Sequence, residues 1–92
     1  MKIFVQIAGL IEGDAVHGER EIEMKNGATV QDVLKRGDKE FGFKKKYFKL
    51  LLKQGRLPTI LLNGDRLDLP EGYTQKLADG EKLSVLLPFS GG

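Results

Sequence analysis

Gly91 and Gly92 follow the apolar run Leu83–Leu87 and Pro88, and they are the residues from which the most chemistry can be built. Glycine lacks a Cβ, so a Gly-Gly end passes through a channel too narrow for side chains and adopts backbone angles closed to other residues. Four residues beyond Pro88, at about 3.3–3.6 Å each, span about 13–14 Å when extended. That length reaches a partner's active site while the domain stays outside it. A terminal carboxylate on Gly92 would be ionised at neutral pH, since such groups titrate at about 3.3–3.7. Its oxygen can attack the α-phosphate of ATP to form an acyl adenylate, and AMP then leaves readily to a sulfur or nitrogen nucleophile. The plain alternative is a frayed end with no chemical role.

The other candidate residues offer less. Cysteine is absent, which removes disulfides, thiolate metal sites and thiol nucleophiles together. The lone histidine, His17, has no second ligand or nucleophile near it in sequence and is read as structural or surface. Asp65 with Asp68, and Asp79 with Glu81, suit turn and solvation roles better than acid–base or calcium chemistry, because no oxygen-rich loop of the required spacing surrounds them. No glycine pattern of the dinucleotide or P-loop type occurs. No metal and no bound cofactor is therefore expected.

Lys44-Lys45-Lys46-Tyr47-Phe48-Lys49 interleaves basic and aromatic residues, the pattern of a single-stranded nucleic-acid platform. Helical spacing favours a different reading, an amphipathic helix with solvated lysines and core aromatics, so nucleic acid is not the expected partner. The net charge of +2 conceals a strong asymmetry. Between Lys35 and Arg56 nine basic residues face Asp38 and Glu40, a local charge of +7; six basic and eleven acidic residues leave −5 elsewhere. Such a field steers a partner of opposite sign.

These residues need a scaffold, and a length of 92 residues with 40% hydrophobic and 30% charged side chains suits one soluble domain spanning 1–92. The opening MKIFVQIAGLI is a poor secretory signal, interrupted by Gln6 and followed directly by Glu12 and Asp14, and no run suffices for a membrane span. Cytoplasmic residence is expected. Residues 3–8 read as a strand with both faces partly covered, Gly9–Gly18 as a loop, and Glu19–Met24 as an edge strand. Thr29 and Asp32 form a helix start, Val30, Val33 and Leu34 make its apolar face, and Gly37 is the expected end. Gly42 separates this helix from a second within Lys44–Lys53, stopped by Gly55. Thr59–Leu62, the turn Asn63-Gly64 and a return through Arg66 and Leu67 form a hairpin. Leu69–Ala78 reads as irregular, and Leu83–Leu87, ended by Pro88, as a strand at the sheet's centre. The class is α+β, a mixed sheet with the helices packed on one face.

Taken together, this order, with Thr29-Val30-Gln31-Asp32-Val33-Leu34 opening the helix, Leu61-Leu62-Asn63-Gly64 in the hairpin, Asp79-Gly80-Glu81-Lys82-Leu83 before the last strand and Pro88-Phe89-Ser90-Gly91-Gly92 closing, resembles the ubiquitin-like β-grasp sulfur carriers of the MoaD/ThiS group, above all the small subunit of molybdopterin synthase. The resemblance implies a β-grasp fold with its first and last strands parallel and adjacent, and a flexible tail at 89–92. It implies that the chain is a protein co-substrate, not an enzyme, whose Gly92 is adenylated by an activating enzyme using ATP and converted to a thiocarboxylate. It further implies that the tail docks into the large subunit of molybdopterin synthase and delivers sulfur to a pterin precursor. Gly91 permits access, Pro88, Phe89 and Ser90 meet the partner, and Leu61, Leu67 and Leu86 are candidates for an apolar sheet face that binds it. Phe89 stands where the family often has proline or a small apolar residue, and the lysine run is unusually basic. Two other outcomes fit the same features: a ubiquitin-like modifier conjugated to lysines through Gly92, and an interaction or nucleic-acid module using residues 44–53.

Overall fold

The computed structural model describes residues 1–11, 13–53 and 57–87. Expectations about Gly55, Pro88, Phe89, Ser90, Gly91 and Gly92 concern residues outside these. Five strands, β1 (Lys2–Ile11), β2 (Asp14–Glu23), β3 (Thr59–Leu62), β4 (Asp65–Arg66) and β5 (Lys82–Leu86), form one sheet in the order β2-β1-β5-β3-β4. β1 and β5 are parallel neighbours at its centre, and the remaining pairs are antiparallel. Two helices, α1 (Val30–Phe41) and α2 (Tyr47–Lys53), fill the segment between β2 and β3. This is the α+β, β-grasp arrangement.

Alternation along the strands decides which face the helices cover. Ile3, Val5 and Ile7 of β1, Val16 and Ile22 of β2, Ile60 of β3, and Leu83 and Val85 of β5 are buried, and they meet Val30, Val33, Leu34 and Phe41 of α1 and Phe48 and Leu51 of α2. The helical residues recur at the spacing that puts them on one stripe. At the start of α1, Thr29 Oγ1 accepts from the Asp32 amide at 3.4 Å, and Asp32 Oδ2 accepts from the Thr29 amide at 2.9 Å. These backbone and side-chain bonds to Thr29 hold the Asp32 carboxyl below its ordinary value of 3.8, so the cap's contribution is complete above that pH and fades as pH falls through the lowered value.

Three sequence expectations are corrected. Gly9–Gly18 is not a loop: β1 runs through Ile11, β2 starts at Asp14, and Ile11 pairs with Asp14 across residues 12 and 13. Of the three glycines that suggested a loop, only Gly13, at φ 81°, serves a turn. Gly18 lies under aromatic rings, where an added Cβ would sit 3.1 Å from Phe41 Cε1. The α1 helix does not end at Gly37 but continues to Phe41, with Gly42 in the left-handed region at φ 67°. The Leu69–Ala78 stretch contains a short 3-10 helix at Glu71–Thr74, and Leu77 is buried.

Gly37 serves packing instead. A Cβ there would fall 2.5 Å from Cγ of Phe48, which is fully buried. The ring lies against the backbone of α1, and Asp38 fixes α2 beside it by accepting from the Phe48 and Lys49 amides at 2.8 and 3.0 Å. Gly37→Ala is therefore expected to destabilise the domain by about 1–3 kcal/mol through overpacking, despite alanine's better helix propensity, as read from denaturant unfolding.

Candidate functional site

The site is organised by the point from which the chain enters residues 88–92. Leu87, 2% exposed, follows β5, and its amide donates to the Ala8 carbonyl at 2.8 Å, extending the β1–β5 ladder by one bond. Gly9 stands against it at φ 134°. A Cβ at Gly9 would lie 2.6 Å from Leu87 Cβ and 2.7 Å from the Leu87 carbonyl oxygen. The root of the terminal segment is thus clamped by a backbone contact that only glycine permits.

β1 and β2 outrun β5 at this end. Ala8 is the last β1 residue paired with β5, so Gly9, Leu10 and Ile11 continue past the end of β5 with β2 still paired to them. Asp14, at the tip of this overhang, accepts from Lys45 Nζ at 2.8 Å and from the Tyr47 hydroxyl at 3.0 Å, which ties the hairpin to α2. The Lys45 bond, then that from Tyr47, lowers the Asp14 pKa, while desolvation and then Asp14 raise that of the Tyr47 phenol. The tie is complete above the ordinary value of 3.8 for Asp14 and weakens as pH falls through the lowered one.

The sheet face opposite the helices carries Phe4, Gln6 and Ala8 of β1, Lys82, Ser84 and Leu86 of β5, and Thr59 and Leu61 of β3, each matched across the register. Phe4 is 44% exposed and Leu86 38%. Leu61 and Leu86 therefore share the open face, with Leu86 at the exit end. Leu67 does not join them: its amide bonds to the Ile60 carbonyl at 2.9 Å, its register is that of a buried residue, and it packs on the core. Phe4 is not among the candidates that the sequence offers, in which residues 3–8 read as a strand with both faces partly covered. The polar Gln6 between Val5 and Ile7 was the mark of an open face. His17, expected in a loop, is an exposed strand residue opposite Ala8.

The acidic residues hold turns. Asp79 Oδ1 accepts from the Lys2 amide at 2.6 Å, and Glu81 Oε2 accepts from Asn63 Nδ2 at 2.8 Å. Among the described residues no group of three or more His, Cys, Asp or Glu side chains could hold a metal, and no helix is long and apolar enough to cross a membrane. What the geometry offers is a clamped root for residues 88–92, beside an open face with apolar side chains.

A family model described as the ThiS family matches residues 5–92. No curated protein matches the sequence. Among solved structures, a chain in the complex of subunits 1 and 2 of the molybdopterin-converting factor from Helicobacter pylori superposes with a TM-score of 0.56 at 23% identity, covering 100% of both chains. SAMP1 from Haloferax volcanii gives 0.59 at 18% identity over 97% of this chain and 99% of its own. The HVO 2177 protein of the same organism gives 0.58 at 21%, over 99% and 88%. At these identities the three likenesses carry the fold.

Proposed function

The chain belongs to the ThiS family, and from that membership we propose that it is a sulfur carrier whose Gly92 bears the transferable atom. The observation that supports this most is the reach of the family match through Gly92, five residues beyond the clamped Leu87. The reading requires a mature chain that ends at Gly92. A carboxylate oxygen there attacks the α-phosphate of ATP in an activating enzyme of the ubiquitin-activating type, forming the acyl adenylate and releasing pyrophosphate. Hydrosulfide supplied by a sulfur donor then attacks the acyl carbon, AMP leaves with the electron pair of the broken C–O bond, and loss of the S–H proton leaves the thiocarboxylate; where the donor is instead a persulfide, a second thiol cleaves the resulting acyl disulfide and is itself oxidised to a disulfide.

The chain contributes position and access to this reaction, not acid–base groups, so in this proposal it is a small subunit and not itself an enzyme. Leu61 and Leu86 give the activating enzyme and the acceptor an apolar surface beside the exit, with Pro88, Phe89 and Ser90 entering the partner behind the diglycine. The acceptor proposed is the large subunit of molybdopterin synthase, and the product a sulfur-bearing pterin in molybdenum cofactor synthesis, in the cytoplasm. The likeness to a complex of molybdopterin-converting factor subunits supports an acceptor of this kind.

Likeness to SAMP1 keeps a second reading in view, in which a lysine amine attacks the adenylate and an isopeptide bond results. Mass spectrometry after incubation with activating enzyme, ATP and a sulfur donor separates the two. Sulfur loading adds about 16 Da, oxygen replaced by sulfur, and conjugation produces this chain attached to lysines of other proteins. An unchanged mass and no conjugates would refute both.

A further inference from the structure

Away from the open sheet face, α1, α2 and their connection form a cleft of about 600 Å³, lined by Lys35, Lys39, Lys44, Lys46, Lys49 and Lys53 with Asp38, Phe43 and Leu52. The six lysines are exposed, and among the described residues none makes an ion pair. Asp38, the one carboxylate that lines the cleft among the described residues, does not neutralise them in ion-pair geometry, because both its oxygens accept from backbone amides of α2. Lys35 and Lys39 stand one turn apart on α1, as do Lys49 and Lys53 on α2. Holding so many like charges together costs stability through repulsion, a cost that an anionic partner would relieve.

The aromatic residues narrow the class of partner. A single-stranded nucleic acid needs exposed rings on which bases stack. Phe48 is fully buried, Tyr47 spends its hydroxyl on Asp14, and the half-buried Phe43 is stacked on Phe41 at 5.2 Å and meets Tyr47 edge-on at 5.4 Å. These rings are core, not a platform. Among the described residues no arginine lines the cleft, and flexible lysine point charges, not the bidentate fork that reads phosphates and bases, surround a small apolar floor of Phe43 and Leu52.

We propose that this cleft docks an acidic protein segment, its carboxylates against the lysines and one apolar side chain on Leu52 and Phe43. The open sheet face lies on the side of the sheet away from the helices and stays uncovered when the cleft is filled. This inference stands apart from the fate of Gly92, and holds for a sulfur carrier or a modifier alike.

Fluorescence anisotropy of the full chain tests it, using a labelled ten-residue peptide of Asp and Glu with one central Leu, and a labelled oligouridylate of matched charge. The peptide is expected to bind saturably at about 50 mM salt and to weaken steeply by about 200 mM. Lys39→Glu with Lys49→Glu should reduce its affinity about tenfold, while Lys25→Glu with Lys76→Glu, matched in net charge but outside the cleft, should change it about twofold or less. Circular dichroism checks that both variants fold, and Lys39→Gln with Lys49→Gln replaces the first pair if it does not. No saturable peptide binding, or equal losses in cleft and control pairs, overturns the proposal. So does tighter binding of the oligouridylate that the cleft pair abolishes, which would assign the cleft to nucleic acid.

Discussion

Deleting Gly91 and Gly92 is expected to reduce ATP–pyrophosphate exchange by the activating enzyme to its background, while the unfolding midpoint of the domain moves by no more than about 1–2 °C. The two outcomes separate because the residues that carry them are separate. The described core runs from Ile3 to Leu87, and residues 91 and 92, as glycines, have no side chain to contribute to it. The new carboxylate would sit on Ser90, two residues short, drawing the reacting oxygen back by about 7 Å along an extended chain. Misplacements of even 1 Å at a reacting centre cost about a hundredfold, so a shift of this size leaves no productive geometry. Gly92→Ala is the finer probe. It keeps the carboxylate and the length and adds one methyl, and a large loss there would show that the activating site tolerates no side chain. Full loading of the truncated chain, seen as the same mass increase on a carboxyl-terminal Ser90, would contradict the assignment.

The parts of this architecture that were legible in the sequence are those set by neighbours along the chain. Thr29 and Asp32 lie three residues apart and cap one another, and Asn63-Gly64, at φ 52° and 89°, makes the tight turn its residue types announce. The central position of β5 follows from its nearly continuous apolar run, interrupted only by Ser84. The errors over the β1–β2 loop and the end of α1 share a cause: glycine can be required for its backbone angles or for its missing side chain, and sequence alone does not say which. Gly13 meets the first requirement, Gly18 and Gly37 the second, and Gly9 both. Reading Gly9 and Gly18 as loop signals hid half of the β1–β2 hairpin, and reading Gly37 as a terminator lost the last turn of α1. The separation of Leu67 from Leu61 is a different case. A two-residue turn at 63 and 64 pairs Leu61 with Arg66 and turns Leu67 toward the core, so parity along the hairpin contained that answer. The exposure of Phe4 was harder to see, since it depends on which face two distant helices cover.

Gly9→Ala is expected to be the most damaging single methyl in the molecule, lowering stability by about 2–5 kcal/mol. Two penalties act together. Alanine at φ 134° is in a region that L side chains rarely adopt, and its Cβ would meet both the side chain and the carbonyl oxygen of Leu87 at under 3 Å. The second contact cannot be relieved by a rotamer change, because it is with backbone held by the Leu87–Ala8 hydrogen bond. Relief requires β5 to pull away from β1 at the end where residues 88–92 begin. Gly13→Ala provides the comparison, since φ there is 81° and nothing lies within 4 Å of the added Cβ, so it isolates backbone strain at about 1 kcal/mol. Denaturant unfolding of both variants measures the difference, and amide exchange at Leu87 locates it. If the excess over Gly13→Ala appears as faster exchange at Leu87, the clamp at the root of the terminal segment is what the glycine provides. Equal destabilisation by the two substitutions would reduce Gly9 to a backbone-angle requirement and leave the root of that segment without a lock.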